Sequence, residues 1–150
     1  MLVREVMTKK TVTLRPKDTL EKTVRMLAKH GISGCPVVDS RKRVVGIITN
    51  ADVLQVIDAQ GRILKENEDL LSVVLGFLKG GTKKALKKVL KTPVRSHMKR
   101  EVITVAEDDD IANAVSVMNQ NDIERLPVVR SGRLVGIISR KDVMRFLQKG

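Results

Sequence analysis

Val45-Gly46-Ile47-Ile48-Thr49-Asn50-Ala51-Asp52-Val53 returns ninety residues later as Val135-Gly136-Ile137-Ile138-Ser139-Arg140-Lys141-Asp142-Val143. In each copy a glycine sits in an apolar β-type run, a hydroxyl residue ends the run, and an aspartate follows three positions on. The match extends outward. At an offset of 91, residues 4–39 fall on 95–130 and align Met7 with Met98, Thr13 with Thr104, Asp18 with Asp109, and Pro36-Val37-Val38 with Pro127-Val128-Val129. One residue is lost in the following turn, and residues 43–57 fall on 133–147 at an offset of 90. Sixteen aligned positions are identical, with apolar matched to apolar at most of the others, so the chain carries a duplicated unit.

At 150 residues the chain is the size of one ordinary domain, here two half-size units sharing one body. Hydrophobic residues make up 42%, and the only aromatics are Phe77 and Phe146, so the core is expected to be aliphatic. The longest apolar run, residues 70–78, is far below the roughly 20 residues of a membrane span. No signal-peptide pattern opens the chain, and Cys35 is the sole cysteine, so no intrachain disulfide can form. A cytoplasmic location is expected. The net charge of +12 divides into +6 over residues 1–57, +4 over 58–94 and +2 over 95–150. An excess of this size favours anionic partners: nucleotide phosphates, nucleic acid or an acidic protein surface.

Residues 11–14 are β-branched and predict a short strand. Asp18 or Thr19 caps the helix that follows, with Glu21 in its first turn, and Leu20, Val24, Leu27 and Ala28 form its apolar face. Gly31 stops this helix. Residues 36–38 and 44–48 predict two strands around a turn at 39–42, and Thr49 caps a helix to about residue 59. The unit is β-α-β-β-α. Its second copy predicts a strand at 102–105, a helix from about 110, strands at 127–129 and 134–138, and a helix at 140–148. Apolar residues at consecutive strand positions imply sheets covered by helices, an α+β fold with α/β layering.

The Met-Thr lead-in, the Thr-Val-Thr strand, the amphipathic helix, Gly-Ile-x-x-x-Pro-Val-Val-Asp and Val-Gly-Ile-Ile-Thr-x-x-Asp together resemble a cystathionine-β-synthase (CBS) domain. Two in tandem resemble the CBS pair, or Bateman module, over about residues 4–57 and 95–147. The resemblance implies halves packed through their sheets about a pseudo-twofold axis. It also implies two clefts, which in many relatives take adenosine ligands such as AMP, ADP, ATP or S-adenosylmethionine. The expected division is residues 1–57 as first repeat, 58–94 as a helical insert and 95–150 as second repeat.

The repeated residues have the matching chemistry. A carboxylate accepts two hydrogen bonds well, so Asp52 and Asp142 suit the vicinal hydroxyls of a ribose. Thr49 and Ser139 stand at helix N-termini, where free N–H groups favour phosphate. Ile32 with Pro36, and Ile123 with Pro127, offer apolar walls for a purine. The resemblance points to the same positions, with Thr13 and Thr104 near the cleft. Ser/Thr-x-x-Asp is also the pattern of a capping box, in which hydroxyl and acid satisfy a helix end and bind nothing. The copies differ: Arg125, Arg140 and Lys141 stand where the first repeat has Gly34, Asn50 and Ala51, which makes the second cleft the better phosphate site and predicts asymmetric occupancy.

The insert departs from the family, whose repeats are often joined by a shorter link. Residues 70–78 predict a helix apolar nearly all round, with Glu66, Glu68 and Asp69 before it. Gly80-Gly81 breaks it, and Thr82 can cap a second helix at 83–91 with Leu86, Val89 and Leu90 on one side and five lysines on the other. Pro93 ends it. This hairpin either covers the sheet or a dimer contact, or docks on nucleic acid or a partner. From Lys79 to Arg100 there are nine Lys/Arg and no acid, which suits any polyanion, although no aromatic platform or helix-turn-helix accompanies them.

Catalysis is not expected. His30 and His97 stand apart from each other and from Cys35 without metal-ligand spacing, and Glu107-Asp108-Asp109-Asp110 opens a helix, where acids belong. Cys35 reads as a small core residue. The expectation is a stand-alone, homodimeric CBS pair that binds an adenosine ligand and signals to an effector protein. A nucleic-acid-binding protein using the basic insert and a ligand-free dimerisation module are the alternatives.

Overall fold

Each apolar run that ends in a hydroxyl residue pairs with the Pro-Val-Val segment before it. The computed structural model of the chain describes residues 1–61 and 84–150. Helix α1 (Val3–Val6) leads into α2 (Leu20–His30), strands β1 (Gly34–Val38) and β2 (Val44–Thr49), and α3 (Asn50–Gly61). After α4 (Lys84–Leu90) and a 3-10 turn (Val94–Ser96) come β3 (Val105–Ala106), α5 (Ile111–Gln120), β4 (Arg125–Arg130), β5 (Arg133–Ser139) and α6 (Arg140–Lys149). The mixed helix and sheet content is the α+β class expected.

The two hairpins are built alike. β1 and β2 are antiparallel with Cys35 opposite Ile48 and Pro36 opposite Ile47, and β4 and β5 repeat this with Leu126 opposite Ile138 and Pro127 opposite Ile137. Both carry a register shift at the second valine, between Val37 and Val38 and between Val128 and Val129. The strand expected over residues 11–14 does not form. Only Leu14 makes an isolated parallel bridge, to Val37, because its N–H and carbonyl alone reach Pro36 and Val38. The strand expected at 102–105 shrinks to β3, which pairs Val105 with Val128 and Ala106 with Val129. A β-branched run supplies propensity, but a strand needs a continuous partner edge, and one or two residues reach it here.

The capping signals hold. Thr19 rather than Asp18 caps α2, accepting from the Lys22 N–H at 3.1 Å, and Gly31 ends that helix in the left-handed region at φ 59°. In the second repeat Asp110 caps α5. The first core gathers Leu14, Leu20, Leu27, Cys35, Val37 and Ile48; the second gathers Val105, Ala114, Met118, Leu126, Val128 and Ile138.

The lead-in of each repeat docks on the opposite repeat. Val3 is fully buried in the second core, its N–H bonded to the Asp109 carbonyl at 2.8 Å. Val94, its counterpart, is fully buried in the first core, its N–H bonded to the Asp18 carbonyl at 2.7 Å. Farther along, Thr8 exchanges both backbone bonds with Ile137, and Lys99 exchanges both with Ile47. This reciprocal exchange and the Arg43–Arg133 bridge between the hairpin ends relate the repeats by a pseudo-twofold axis.

Of the expected insert hairpin, the first arm at 70–78 and the Thr82 cap lie outside the described residues. The second arm is α4, whose Leu86 and Leu90 are buried in the first core while Lys87 and Lys88 are exposed. Among the described residues no helix is long and apolar enough to cross a membrane.

Candidate functional site

The end of β5 and the start of α6 position the second candidate carboxylate. Ser139 is the N-cap of α6: its Oγ accepts from the Asp142 N–H at 3.2 Å, and Asp142 Oδ2 accepts from Ser139 N at 2.9 Å and Ser139 Oγ at 2.7 Å. The capping box therefore exists, and it engages one carboxylate oxygen. Oδ1 is turned elsewhere and accepts from Thr8 Oγ1 at 3.3 Å. An ionised carboxylate has about four lone-pair positions, so capping leaves acceptor capacity on Asp142. The residue is half-buried at the edge of a cleft of about 540 Å³.

That cleft draws on both repeats. Ile32 and Gly34 of the first repeat face Arg125, Ser139, Arg140, Lys141 and Asp142 of the second. Arg125 Nη1 donates to the Gly34 carbonyl at 3.2 Å and so spans the two. Arg140 donates its backbone N–H to the Glu124 carbonyl, closing the cleft floor. Five cations line the space, Lys10, Arg125, Arg140, Lys141 and Arg145, against the carboxylates of Glu124 and Asp142. Such a ring of cations over a helix N-terminus favours a polyanion such as phosphate.

Thr8, Lys10, Thr11 and Arg145 line the cleft without being singled out from the sequence, and His30, set aside there as a lone histidine, lines it too. Arg145 carried a signal, since three residues beyond Asp142 on a helix lies on the same face. Thr8, Lys10 and Thr11 carried none, because their repeat is in contact with the other one only after folding.

The first candidate carboxylate has the same local frame and different surroundings. Asp52 Oδ2 accepts from Thr49 N at 2.9 Å and Thr49 Oγ1 at 3.0 Å. Its Oδ1 faces Lys99 Nζ at 3.6 Å, and the residue is 6% exposed. A cavity of about 400 Å³ reaches Asp52 through Gln55, Val56, Ala59, Ser96 and His97, without Thr49 or Lys99 in its wall.

Of the remaining candidates, Pro36 and Pro127 are buried inside β1 and β4, opposite Ile47 and Ile137. Ile123 is half-buried against the second core, and Thr13 and Thr104 are half-buried beside the strand bridges. None of these five lines the 540 Å³ cleft. Among the described residues no group of His, Cys, Asp and Glu could hold a metal. Cys35 is fully buried, and burial pushes its thiol up to about 12.

Two similar units exchanging their lead-ins, with a hydroxyl-x-x-aspartate cap at the end of each hairpin, define a paired-repeat module. The CBS domain family matches residues 3–59 and 94–149, and the chain belongs to that family. Protein MJ1426 of Methanocaldococcus jannaschii is 35% identical over 160 aligned positions that cover 98% of this chain and 91% of that protein. The structure also resembles the CBS domain pair of protein MJ0100 in complex with 5′-methylthioadenosine and S-adenosyl-L-methionine, with a TM-score of 0.69, 24% identity and coverage of 99% of this chain and 97% of that one. CBSX2 in complex with AMP matches with a TM-score of 0.75, 20% identity and coverage of 99% and 96%.

Proposed function

We propose that this CBS pair is a non-catalytic sensor that binds a phosphate-bearing adenosine ligand in the Asp142 cleft and passes its occupancy to an effector protein. The observation that carries this reading is the company Asp142 keeps: a carboxylate whose Oδ1 lies outside the helix cap and keeps acceptor capacity, at a helix N-terminus, inside a ring of five cations. The carboxylate suits the ribose hydroxyls, Ile32 offers an apolar wall to the purine, and Lys10, Arg140, Lys141 and Arg145 suit the phosphates. AMP, ADP and ATP fit this charge. The cationic sulfonium of S-adenosylmethionine fits it poorly, which makes that ligand the alternative. Proteins of this fold that hold AMP or S-adenosylmethionine support the ligand class.

Because the cleft walls come from both repeats, a ligand shifts the population of their relative packing if it binds one arrangement more tightly. A homodimer is the state in which such a shift is read: Leu54 on α3 and Met144 on α6, equivalent positions of the two repeats, are 41% and 58% exposed. Light scattering tests that part. The ligand is tested by calorimetric titration with AMP, ADP, ATP and S-adenosylmethionine against wild type and Asp142→Ala. Saturable binding lost in the variant supports the reading, and no heat from any of the four on nucleotide-free protein defeats it.

A second reading rests on Lys87, Lys88, Lys91, Arg95, Lys99 and Arg100, all exposed along one stretch. These suit a polyanion without sequence reading. Nucleic-acid binding that falls steeply with salt and persists in Asp142→Ala would favour it.

A further inference from the structure

We infer that Lys99 closes the first cleft to adenosine ligands, so that each chain takes a single ligand, in the Asp142 cleft. This rests on the nucleotide reading above and names the residue that decides which cleft is open.

The argument is a comparison of equivalent atoms within one molecule. Asp52 and Asp142 occupy the same place in the two repeats, and each gives Oδ2 to its helix cap in the same way. Each points Oδ1 toward the exchanged lead-in of the opposite repeat. There the copies diverge: position 8 is threonine, and its equivalent, position 99, is lysine. Both are pinned by the same backbone exchange, Thr8 with Ile137 and Lys99 with Ile47, so neither side chain can withdraw by moving its backbone.

The consequences differ. Thr8 is short and leaves its face of Asp142 open to the 540 Å³ cleft, with Thr8 itself in the wall. Lys99, whose side chain is 65% exposed, instead brings an ammonium to 3.6 Å from Oδ1 and pairs that carboxylate edge with a cation. Asp52 is buried at 6% exposure while Asp142 is half-buried. A ribose entering the first cleft must replace a cation beside a buried carboxylate by two neutral hydroxyls. The second cleft does not ask for this.

The test exchanges the two residues. Calorimetry uses two probes: AMP, and uncharged 5′-methylthioadenosine, which makes the poor phosphate complement of the first cleft irrelevant. Wild type is expected to bind one ligand per chain, lost in Asp142→Ala. Lys99→Thr is expected to bind two of the uncharged probe, and adding Asp52→Ala in that background is expected to return the count to one. Thr8→Lys is expected to lose the wild-type site. Threonine and lysine already support identical backbone pairing at these two places, and a thermal melt checks that each variant is folded. Two ligands on wild type, or one on folded Lys99→Thr with both probes, would overturn the role of Lys99 while leaving the nucleotide reading intact. Absence of binding by every variant and both probes would overturn the nucleotide reading and this inference with it.

Discussion

Met7 lies directly over Gly136. A Cβ built on that glycine would meet the Met7 Sδ at 2.6 Å and the Thr8 carbonyl oxygen at 2.9 Å. The mirror contact sets Gly46 under Met98, where a Cβ would collide with the Met98 Sδ and meet the Lys99 carbonyl oxygen at 3.0 Å. These are the exchanged lead-ins lying flat on the opposite hairpin, and only a residue without a side chain admits them. Gly136→Ala and Gly46→Ala are each expected to cost about 1–3 kcal/mol, the usual penalty of overpacking. Urea midpoints measure this. Gly136→Ala should also weaken the Asp142 cleft, because it displaces Thr8, whereas Gly46→Ala should leave ligand affinity nearly unchanged.

Asp142→Asn keeps the shape of the side chain and one acceptor toward the Ser139 cap. Ligand affinity is expected to fall by about tenfold or more, which corresponds to about 1.4 kcal/mol. Stability should change by less than about 1 kcal/mol, the scale of a charge at a helix N-terminus. Titration and a thermal melt on the same sample separate the two. A loss of stability larger than the loss of affinity would mean that Asp142 serves the cap alone.

Glu107 and Arg130 form a two-pronged ion pair at the edge of the second sheet, with Arg130 Nη2 donating to Oε2 at 2.8 Å and Nε to Oε1. The hydrogen bond from Arg130 is the main reason that the Glu107 carboxyl titrates below its ordinary value of 4.5. A carboxyl whose folded pKa is depressed adds stability above its ordinary pKa, and that stability is lost as pH falls through the folded value. Stability should therefore rise with pH across the acid side of this window, because the unfolded chain binds the extra proton. Urea titrations between about pH 6 and pH 3 should show a shallower acid loss in Glu107→Gln than in wild type.

Cys35 lies in β1 opposite Ile48 and is fully buried in the first core, and burial pushes its thiol up to about 12. The thiolate is the reactive form, so a disulfide reagent at pH 8 should leave the native protein unmodified. One thiol per chain should appear in denaturant. Rapid labelling of native protein would show that the first core opens readily.

The duplication, the class of fold, the helix caps and the two carboxylates were legible because they are local patterns. Ser139 and Asp142 are three residues apart, so their capping geometry follows from helix pitch wherever the helix is placed. Leu126, Val128 and Ile138 announce a core strand pair by apolarity alone. Strand length was not legible, because residues 11–14 have β propensity while the edge they can reach admits only Leu14. Nor was the membership of the cleft: Thr8 stands 134 residues from Asp142, and nothing in either neighbourhood announces their hydrogen bond.

The sequence by itself determined that two equivalent units exist and that each ends a hairpin in a hydroxyl-x-x-aspartate cap, since hydrophobic period and capping act over a few residues. The tertiary structure alone decided that Val3 and Val94 trade cores, and with them that Thr8 meets Asp142 while Lys99 meets Asp52. The exchange depends on which buried surfaces find each other when the repeats close, and that is set by packing across the whole chain rather than by any neighbouring residues.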